Sequence, residues 1–309
     1  MTEIAREVLD KYQIRKTKAQ KNAFISFLQE KVGKMGYTSK LEAGKGGACN
    51  IIVGDVESAK VVYTAHYDTC PVLPFPNFIT PKNFFIYFLY QLLITVGFLA
   101  ILVAVSVGTG YLSAKFNIRE SVADLIFFVV CYGLIFLMMA GPANKHTAND
   151  NTSGVNTLIE IMAALPDEKK NEVAFVFFDL EEMGLVGSRA FSKLHKKEMK
   201  EKLLVNFDCV SDGENILFVL CKKAKCYKQA LEQAYTSNEH VSVEVADKGI
   251  FYPSDQMNFP CGVGVAALKK SKFMKLLYMD RIHTNKDTVY REENIQFLTQ
   301  KSIELINIL

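Results

Sequence analysis

The sequence lacks a surplus of either charge. Its 309 residues include 36 Lys or Arg and 33 Asp or Glu, which gives a formal net charge of +3. Strong binding of nucleic acid normally depends on a basic surface. The near-balance offers no electrostatic reason for such binding, so we expect no nucleic acid among the partners of this chain.

The sequence also lacks the marks of a disulfide-stabilised secreted protein. Its seven cysteines are odd in number and dispersed along the chain. The first 37 residues are charged and helical in pattern, without the apolar core of a secretory signal, so we expect the chain to begin as mature protein. Both absences favour a reducing compartment over a disulfide scaffold.

Apolar residues are abundant, and two long runs hold the excess. They make up 50% of the chain, which is high for a soluble enzyme. Residues 84–107 carry no charge, and residues 122–140 carry only Asp124 before the helix stop signal Gly141-Pro142. A helix over the first run would be about 36 Å long, enough to cross a hydrocarbon core of about 30 Å. The pattern predicts a transmembrane helical hairpin within residues 81–140; the alternative is two buried helices of a soluble core.

A hairpin returns the chain to its starting side, so residues 1–80 and 141–309 are predicted to form one discontinuous domain in one compartment. Charge counting scarcely decides the side, because Lys115 and Arg119 in the link balance Lys82 and Lys145 at the flanks. The unpaired cysteines and the lack of a signal favour the cell membrane with this domain in the cytoplasm. Besides contact with the lipid bilayer, the spans could equally mediate homodimerisation or docking to another membrane protein.

Outside the two runs, short apolar strands alternate with helices. Strands are predicted at residues 50–53, 61–65, 173–180, 203–207, 216–220 and 241–245, and helices at 154–165, 224–236 and 292–309. The segment 173–180 is almost entirely apolar, as a strand buried on both faces should be. The alternation predicts an α/β fold in which helices sandwich a mostly parallel mixed sheet, with the hairpin inserted in one loop.

Acidic and histidine residues follow the C-terminal ends of these strands, where open α/β sheets place their sites. Taken singly, each has an ordinary explanation as a helix cap or a solvated side chain. Together they supply the imidazole and carboxylate ligands that zinc accepts, and one carboxylate can bridge two ions. The set comprises His66, Asp68, Asp150, Glu181, Glu182, Asp208 and His283.

Two features of this set suit metal-assisted hydrolysis. Of the adjacent residues Glu181 and Glu182, one can bind metal while its neighbour remains free as a general base. Asp68 follows His66 by two residues and is placed to accept the other ring N–H of a ligating imidazole, which would fix its orientation.

Five sequence blocks in this order resemble the di-zinc aminopeptidases related to secreted bacterial leucine aminopeptidases, a superfamily that includes glutamate carboxypeptidase and glutaminyl cyclase. Any one block is a weak signal, whereas five in order are specific. The resemblance covers about residues 45–309 apart from the hairpin and implies a zinc-exopeptidase-like fold. The blocks are His66-Tyr67-Asp68, Asp150-Asn151-Thr152-Ser153-Gly154, Glu181-Glu182-Met183-Gly184-Leu185 with Gly187-Ser188, Asn206-Phe207-Asp208, and His283-Thr284-Asn285-Lys286-Asp287-Thr288.

The resemblance assigns a role to each matching residue. It implies that His66 and Asp208 bind one zinc ion, that Glu182 and His283 bind the other, and that Asp150 bridges them. It makes Glu181 the general base and Asp68 the orienting acid, and Tyr252 lies near where relatives offer a hydroxyl to the substrate carbonyl. One departure concerns substrate recognition rather than metal binding: many relatives have Ser-Asp-His where this chain has Ser254-Asp255-Gln256.

The function implied is that of a membrane-anchored zinc exopeptidase, an aminopeptidase that releases N-terminal residues of peptides. The alternatives are a carboxypeptidase, a glutaminyl-cyclase-like enzyme, or an inert binding or receptor domain of the same fold. The intact ligand set argues against the inert domain, because holding several carboxylates together without metal is costly. Since the hairpin lies between His66 and Asp150, we expect its ends, and the catalytic opening, near the bilayer surface.

Overall fold

The computed structural model describes residues 1–117, 119–273 and 276–309, which form one α/β domain and a long inserted hairpin. The strands are β1 (Ser39–Ala43), β2 (Cys49–Val53), β3 (Val61–His66), β4 (Val173–Phe178), β5 (Leu203–Phe207), β6 (Asn215–Leu220), β7 (Ser242–Ala246), β8 (Gly262–Lys270) and β9 (Leu277–Tyr278). The α-helices are α1 (Glu3–Lys11), α2 (Lys18–Lys34), α3 (Phe84–Phe116), α4 (Glu120–Ala140), α5 (Gly154–Ala164), α6 (Val186–Leu194), α7 (Lys228–Ala234) and α8 (Glu292–Ile308).

The strands form one mixed sheet in the order β1-β2-β4-β3-β5-β8-β6-β7, with β9 beside β8. In its centre β4, β3, β5 and β8 run parallel, while the pairs β1–β2, β2–β4 and β6–β8 are antiparallel. The α/β fold with a sheet between helices is therefore confirmed. We call the edge where the four central strands end the carboxyl edge; side chains that follow these strands meet there.

Both faces of the sheet are buried, because alternate residues of each central strand point in opposite directions. Tyr63 and Phe175 belong to the larger core, which α5 and α8 cover together with the N-terminal helices. Val62 and Val176 belong to a smaller core, in which Phe191 of α6 packs. The almost wholly apolar sequence of β4 follows from this two-sided burial.

Several elements lie outside the sequence predictions. Strands β1, β8 and β9 and helix α6 were not predicted. Strand β1 is a half-exposed edge strand, β8 contains two glycines, β9 has two residues, and α6 has only nine. The predicted helix over residues 224–236 is divided into a tight turn, Ala224–Tyr227, and the shorter α7.

The inserted hairpin differs in burial from the other α-helices, each of which has buried residues. Helices α3 and α4 contact each other, and neither contains a buried residue. Both are long and apolar enough to cross a membrane. The alternative prediction, two buried helices of a soluble core, is wrong: Phe85, Leu93 and Val107 are each 67% exposed.

The two ends of the insertion are joined at its base. Pro71 and Ala143 form an antiparallel bridge, and the backbone N–H groups of Val72 and Asn144 donate to the carbonyl oxygens of Pro142 and Cys70 at 2.9 and 3.1 Å. The chain therefore enters and leaves the hairpin at one place.

Candidate metal centre

Strand ends deliver most of the candidate site residues to one pocket on the carboxyl edge. His66 is the last residue of β3, Asp208 follows β5, and Glu181 and Glu182 follow β4. Asp150 comes from the turn before α5 (Ala148–Ser153), and His283 from the loop after β9. The pocket holds about 240 Å³, and all the predicted metal ligands line it together with Glu181 and Tyr252.

Sharp backbone turns orient this part of the chain. Leu180, Cys209 and His283 have φ values of 55°, 59° and 64°, a left-handed conformation that non-glycine residues adopt rarely. Each adjoins or belongs to the candidate site. Such conformations cost free energy and persist where surrounding contacts impose them, as at functional sites.

The carboxylate of Asp150 lies between the two histidines. Its Oδ1 is 3.3 Å from Nε2 of His66, and its Oδ2 is 3.2 Å from Nε2 of His283. His66 Nε2 is also 3.5 Å from Asp208 Oδ1, and His283 Nε2 is 3.3 Å from Glu182 Oε2. The structure thus forms two ligand groups that share Asp150 through different oxygens.

These separations fit zinc. With zinc bonds of about 2.0–2.2 Å to nitrogen and oxygen, neighbouring ligand atoms of a tetrahedral site lie about 3.3–3.5 Å apart. In addition, Oε1 of Glu182 is buried without a hydrogen-bond partner. Cys70 offers its Sγ to the group of Asp150, Glu182 and His283, and a third possible ligand group joins Glu181 to His66 and Glu182. The donor set matches the nitrogen, oxygen and sulfur ligands that zinc accepts.

Asp68 makes contacts on both sides of the site. Its Oδ1 and Oδ2 accept the backbone N–H groups of Glu181 and Glu182 at 3.0 and 3.2 Å. The ring Nδ1 of His66 lies 3.1 Å from the backbone carbonyl of Asp68 and 3.6 Å from its carboxylate. Asp68 therefore holds the two glutamates through their backbone, and its main chain faces the imidazole more closely than its side chain does.

Three supporting residues had no role in the sequence analysis. The carboxylate of Asp287 accepts the backbone N–H groups of Asn149 and Asp150, both at 2.9 Å. Asn151 donates to the carbonyl of Phe207 at 2.9 Å, which ties the Asp150 turn to β5. Asp287 and Asn151 belong to two of the five sequence blocks, and this was the only sign in the sequence that they support the site.

The third supporting residue is Arg15, fully buried between α1 and α2. Its guanidinium donates to the backbone carbonyls of Tyr67 and Tyr12 and to the hydroxyl of Thr152. Burial lowers the pKa of Arg15 to about 10, although the charges of Asp68 and Asp150 oppose that shift. No sequence signal distinguishes this arginine from the other basic residues of the N-terminal helices.

Burial and dense charge perturb the titration of the cluster. Burial raises the pKa of Glu182 to about 7 and that of Glu181 well above its ordinary value. Burial lowers the pKa of His283, but the charge of Glu182 and the contact with Asp150 outweigh it and raise the pKa to about 9. A raised pKa, as at Glu181, is typical of carboxyl groups that perform general acid–base catalysis.

Tyr252 and its neighbours form the wall beyond β5. The Tyr252 hydroxyl donates to the backbone carbonyl of Asp208 at 2.9 Å. Gln256 is buried and donates to the carbonyl of Tyr252 at 2.7 Å, so the residue that departs from the family pattern supports this tyrosine. Both carboxylate oxygens of Asp255 are buried without hydrogen-bond partners, and burial raises the pKa of Asp255 to about 7.

Known structures share this fold at low sequence identity. The LapA aminopeptidase of Legionella pneumophila aligns with 99% of this chain and 70% of its own, at 12% identity and a TM-score of 0.56. A glutaminyl cyclase of Porphyromonas gingivalis aligns with 98% of this chain and 95% of its own, at 16% identity and a TM-score of 0.60. A Zn-dependent exopeptidase of Parabacteroides distasonis aligns with 98% of this chain and 94% of its own, at 15% identity and a TM-score of 0.57. At such identities the likeness establishes the fold alone.

A match to a protein family goes further. A comparison with curated individual proteins gives no significant match. Residues 135–301, however, match the description "Peptidase family M28", and this range spans more than half of the chain. It contains Asp150, Glu181, Glu182, Asp208 and His283, whereas His66 and Asp68 precede it. This chain therefore belongs to peptidase family M28.

Proposed function

We propose that this protein is a membrane-anchored aminopeptidase with two zinc ions. His66 and Asp208 would hold one ion, Glu182 and His283 the other, and Asp150 would bridge them. The observation that carries the proposal is the position of Asp150, whose two oxygens face different imidazoles at 3.3 and 3.2 Å. Membership of a peptidase family and the zinc-type ligand set support a zinc metallopeptidase.

Glu181 is the residue we propose as general base. It is adjacent to the proposed ligand Glu182 and partly exposed at the pocket. Neither group of proposed zinc ligands that contains Asp150 includes it. Bound zinc would lower the pKa of water and polarise the scissile carbonyl. Glu181 would accept the proton of the attacking water and return it to the leaving amine. Asp68, which holds the Glu181 backbone, would keep that carboxylate in place.

The charge of the pocket favours a free amino terminus over a free carboxyl terminus. Its described lining includes the carboxylates of Asp150, Glu181, Glu182 and Asp208, and no Lys or Arg lies among those lining residues. A carboxypeptidase needs a cation to hold the C-terminal carboxylate of its substrate, for which Arg is best suited. Bound zinc would offset the charge of the ligand carboxylates, so the lack of such a cation is what distinguishes the two termini; a free α-amino group does not need one. This asymmetry favours the aminopeptidase.

We propose that the hairpin anchors the protein in the membrane and that the segment leading into it forms part of the pocket. Asn77 and Ile79, which lead into α3, line the metal pocket. The backbone N–H of Leu73 donates to the carbonyl of His283 at 2.7 Å. We therefore propose a discontinuous catalytic domain of residues 1–80 and 141–309 in the cytoplasm, with residues 81–140 in the cell membrane. Peptides at the bilayer surface would reach the pocket directly.

Peptides that differ at one terminus test the activity. The full chain, purified in detergent with zinc, should release the first residue from a leucyl peptide whether or not its C-terminus is amidated. N-acetylation of the same peptide should abolish release. Cyclisation of an N-terminal glutamine in place of hydrolysis would identify a glutaminyl cyclase. Zinc binding without turnover on any member of the set would identify an inert binding domain.

A further inference from the structure

The hairpin formed by β8 and β9 carries an unusually exposed aromatic side chain. Its register pairs Lys269 with Tyr278 and Lys270 with Leu277. In the loop beyond, Phe273 is 98% exposed, the highest value among the large apolar side chains described. Lys270 and Lys272, which precede it, are exposed as well. A fully exposed aromatic ring beside cations has no apolar partner within the described chain.

A bridge joins the hairpin that carries this loop to the segment that leads into α3. Ile79 and Met279 exchange both backbone hydrogen bonds, at 3.0 and 2.9 Å, in an antiparallel bridge. Because the two segments are antiparallel, the residues after Ile79, which lead to α3, run beside those before Met279, which lead back to the loop. The rings of Phe78 and Tyr278, 6.0 Å apart, continue this pairing. The segment that leads into α3 and the segment that leads back to the loop are therefore neighbours at this bridge.

The base of α3 is itself attached to the catalytic domain. The backbone N–H of Phe251 donates to the carbonyl of Pro81 at 2.9 Å, and the rings of Phe84 and Phe251 meet edge to face at 5.9 Å. Between the bridge and α3 the chain makes a tight turn, in which the backbone N–H of Asn83 donates to the carbonyl of Thr80 at 2.9 Å. Strand β8 runs on to Lys270, beyond its pairing with Phe207 at the end of β5, so its loop projects from the carboxyl edge. The residues that lead into α3, Asn77 and Ile79, line the pocket at the same edge, so the loop and the base of α3 lie on one side of the domain.

We propose that the loop at residues 270–273 forms a second membrane contact, in which Phe273 enters the lipid interface and Lys270 and Lys272 bind anionic headgroups. Aromatic side chains favour the interface between headgroups and hydrocarbon, and lysines near an anionic leaflet are attracted to it. Lys269 is not part of this contact, because it pairs with Asp212 and Asp280. The inference rests on the proposed membrane anchoring of α3 and α4.

A single tryptophan can report this contact, because the sequence contains none. We would place Phe273→Trp in the full chain, reconstituted in nanodiscs of phosphatidylcholine with or without phosphatidylglycerol. The emission should be blue-shifted, and lipids with brominated acyl chains should quench it. Phosphatidylglycerol should strengthen both effects. Adding Lys270→Glu and Lys272→Glu should reduce quenching in the anionic lipid to the level seen in phosphatidylcholine alone or below it.

Glu57→Trp is the matched control. Glu57 is exposed in the turn before β3, at the opposite edge of the sheet from the end of β8. Its emission should stay red-shifted and insensitive to brominated lipid in every nanodisc.

The outcomes separate the loop contact from the anchor. If the chain copurifies with nanodiscs but Phe273→Trp behaves like Glu57→Trp, the loop contact is refuted and the anchor stands. A blue-shifted emission that brominated lipid does not quench would indicate burial against protein, which also overturns the lipid contact. Failure of the chain to associate with nanodiscs would overturn the anchor, and the loop contact with it.

Discussion

The carboxyl edge of the sheet and the inserted hairpin are adjacent in the chain but differ in what they bury. His66, Asp150 and Asp208 are charged or polar and at most 6% exposed. The large apolar residues of α3 and α4 are mostly half exposed or more. Buried charge requires compensating ligands, and exposed hydrocarbon requires an apolar surrounding. A water-soluble protein usually buries apolar side chains and exposes charged ones, and each region does the opposite. Metal ions are therefore expected at the carboxyl edge, and lipid around the hairpin.

The largest effect is expected from removing the shared ligand of the carboxyl edge. Asp150→Ala takes one oxygen from each group, so we expect both zinc ions and all measurable turnover to be lost. Elemental analysis and peptide hydrolysis check this. Full zinc occupancy in Asp150→Ala would remove this residue from the bridging role.

The next effect separates catalysis from metal binding within the carboxyl edge. Glu181→Gln keeps the shape of the side chain but removes its basicity, so turnover should fall by about 10²–10⁴-fold. Zinc content should not change, because the ligand groups around Asp150 remain complete. Retention of more than roughly a tenth of the wild-type turnover would exclude Glu181 as the base, given that range.

A third prediction tests the hairpin with two leucines of similar exposure. Leu99, in α3, is 53% exposed, and Leu41, in the edge strand β1, is 47% exposed. A lysine near the middle of a membrane span costs about 3 kcal/mol relative to leucine, or about 100-fold in the insertion equilibrium. Leu99→Lys should therefore lower the fraction of chain that resists alkaline extraction from membranes. Leu41→Lys should leave that fraction unchanged, and equal behaviour of the two variants would contradict a membrane span in α3.

The smallest effect is expected at the boundary between the regions. Lys82, next to the start of α3, pairs with Glu244 while both side chains remain 39% and 46% exposed. Such pairs contribute about 0–1 kcal/mol, so Lys82→Gln should lower the free energy of unfolding by less than about 1 kcal/mol. A double-mutant cycle with Glu244→Gln measures the pair directly. A coupling of several kcal/mol would mean that charge, rather than the packing of Phe84 on Phe251, attaches the hairpin.

The sequence predicted most of what lies at the ends of strands. The strands leading to His66, Glu181 and Asp208 are strongly apolar, and their polar ends stand out; the order of the five blocks then indicated the family. The hairpin could be predicted because its two runs contain almost no charge. These signals are local in sequence, so a single pass along the chain detects them.

Contacts between distant segments could not be predicted in this way. Arg15 reaches Thr152 across 137 positions, and Asp287 reaches Asp150 across 137. Asp68 appeared placed to orient His66, yet its carboxylate is closer to the backbone of Glu181 and Glu182. The bridge between Ile79 and Met279 joins the hairpin that carries Phe273 to the segment that leads into α3. Each of these contacts arises from tertiary packing that no periodic pattern records.

The zinc content of the purified full chain tests the central proposal most directly. Two ligand groups that share Asp150 predict two zinc ions per chain by elemental analysis. The same measurement on His66→Ala and His283→Ala should give about one ion each, because each histidine belongs to one group. A single ion in the wild-type chain, or full zinc content in both variants, would contradict the two-ion centre.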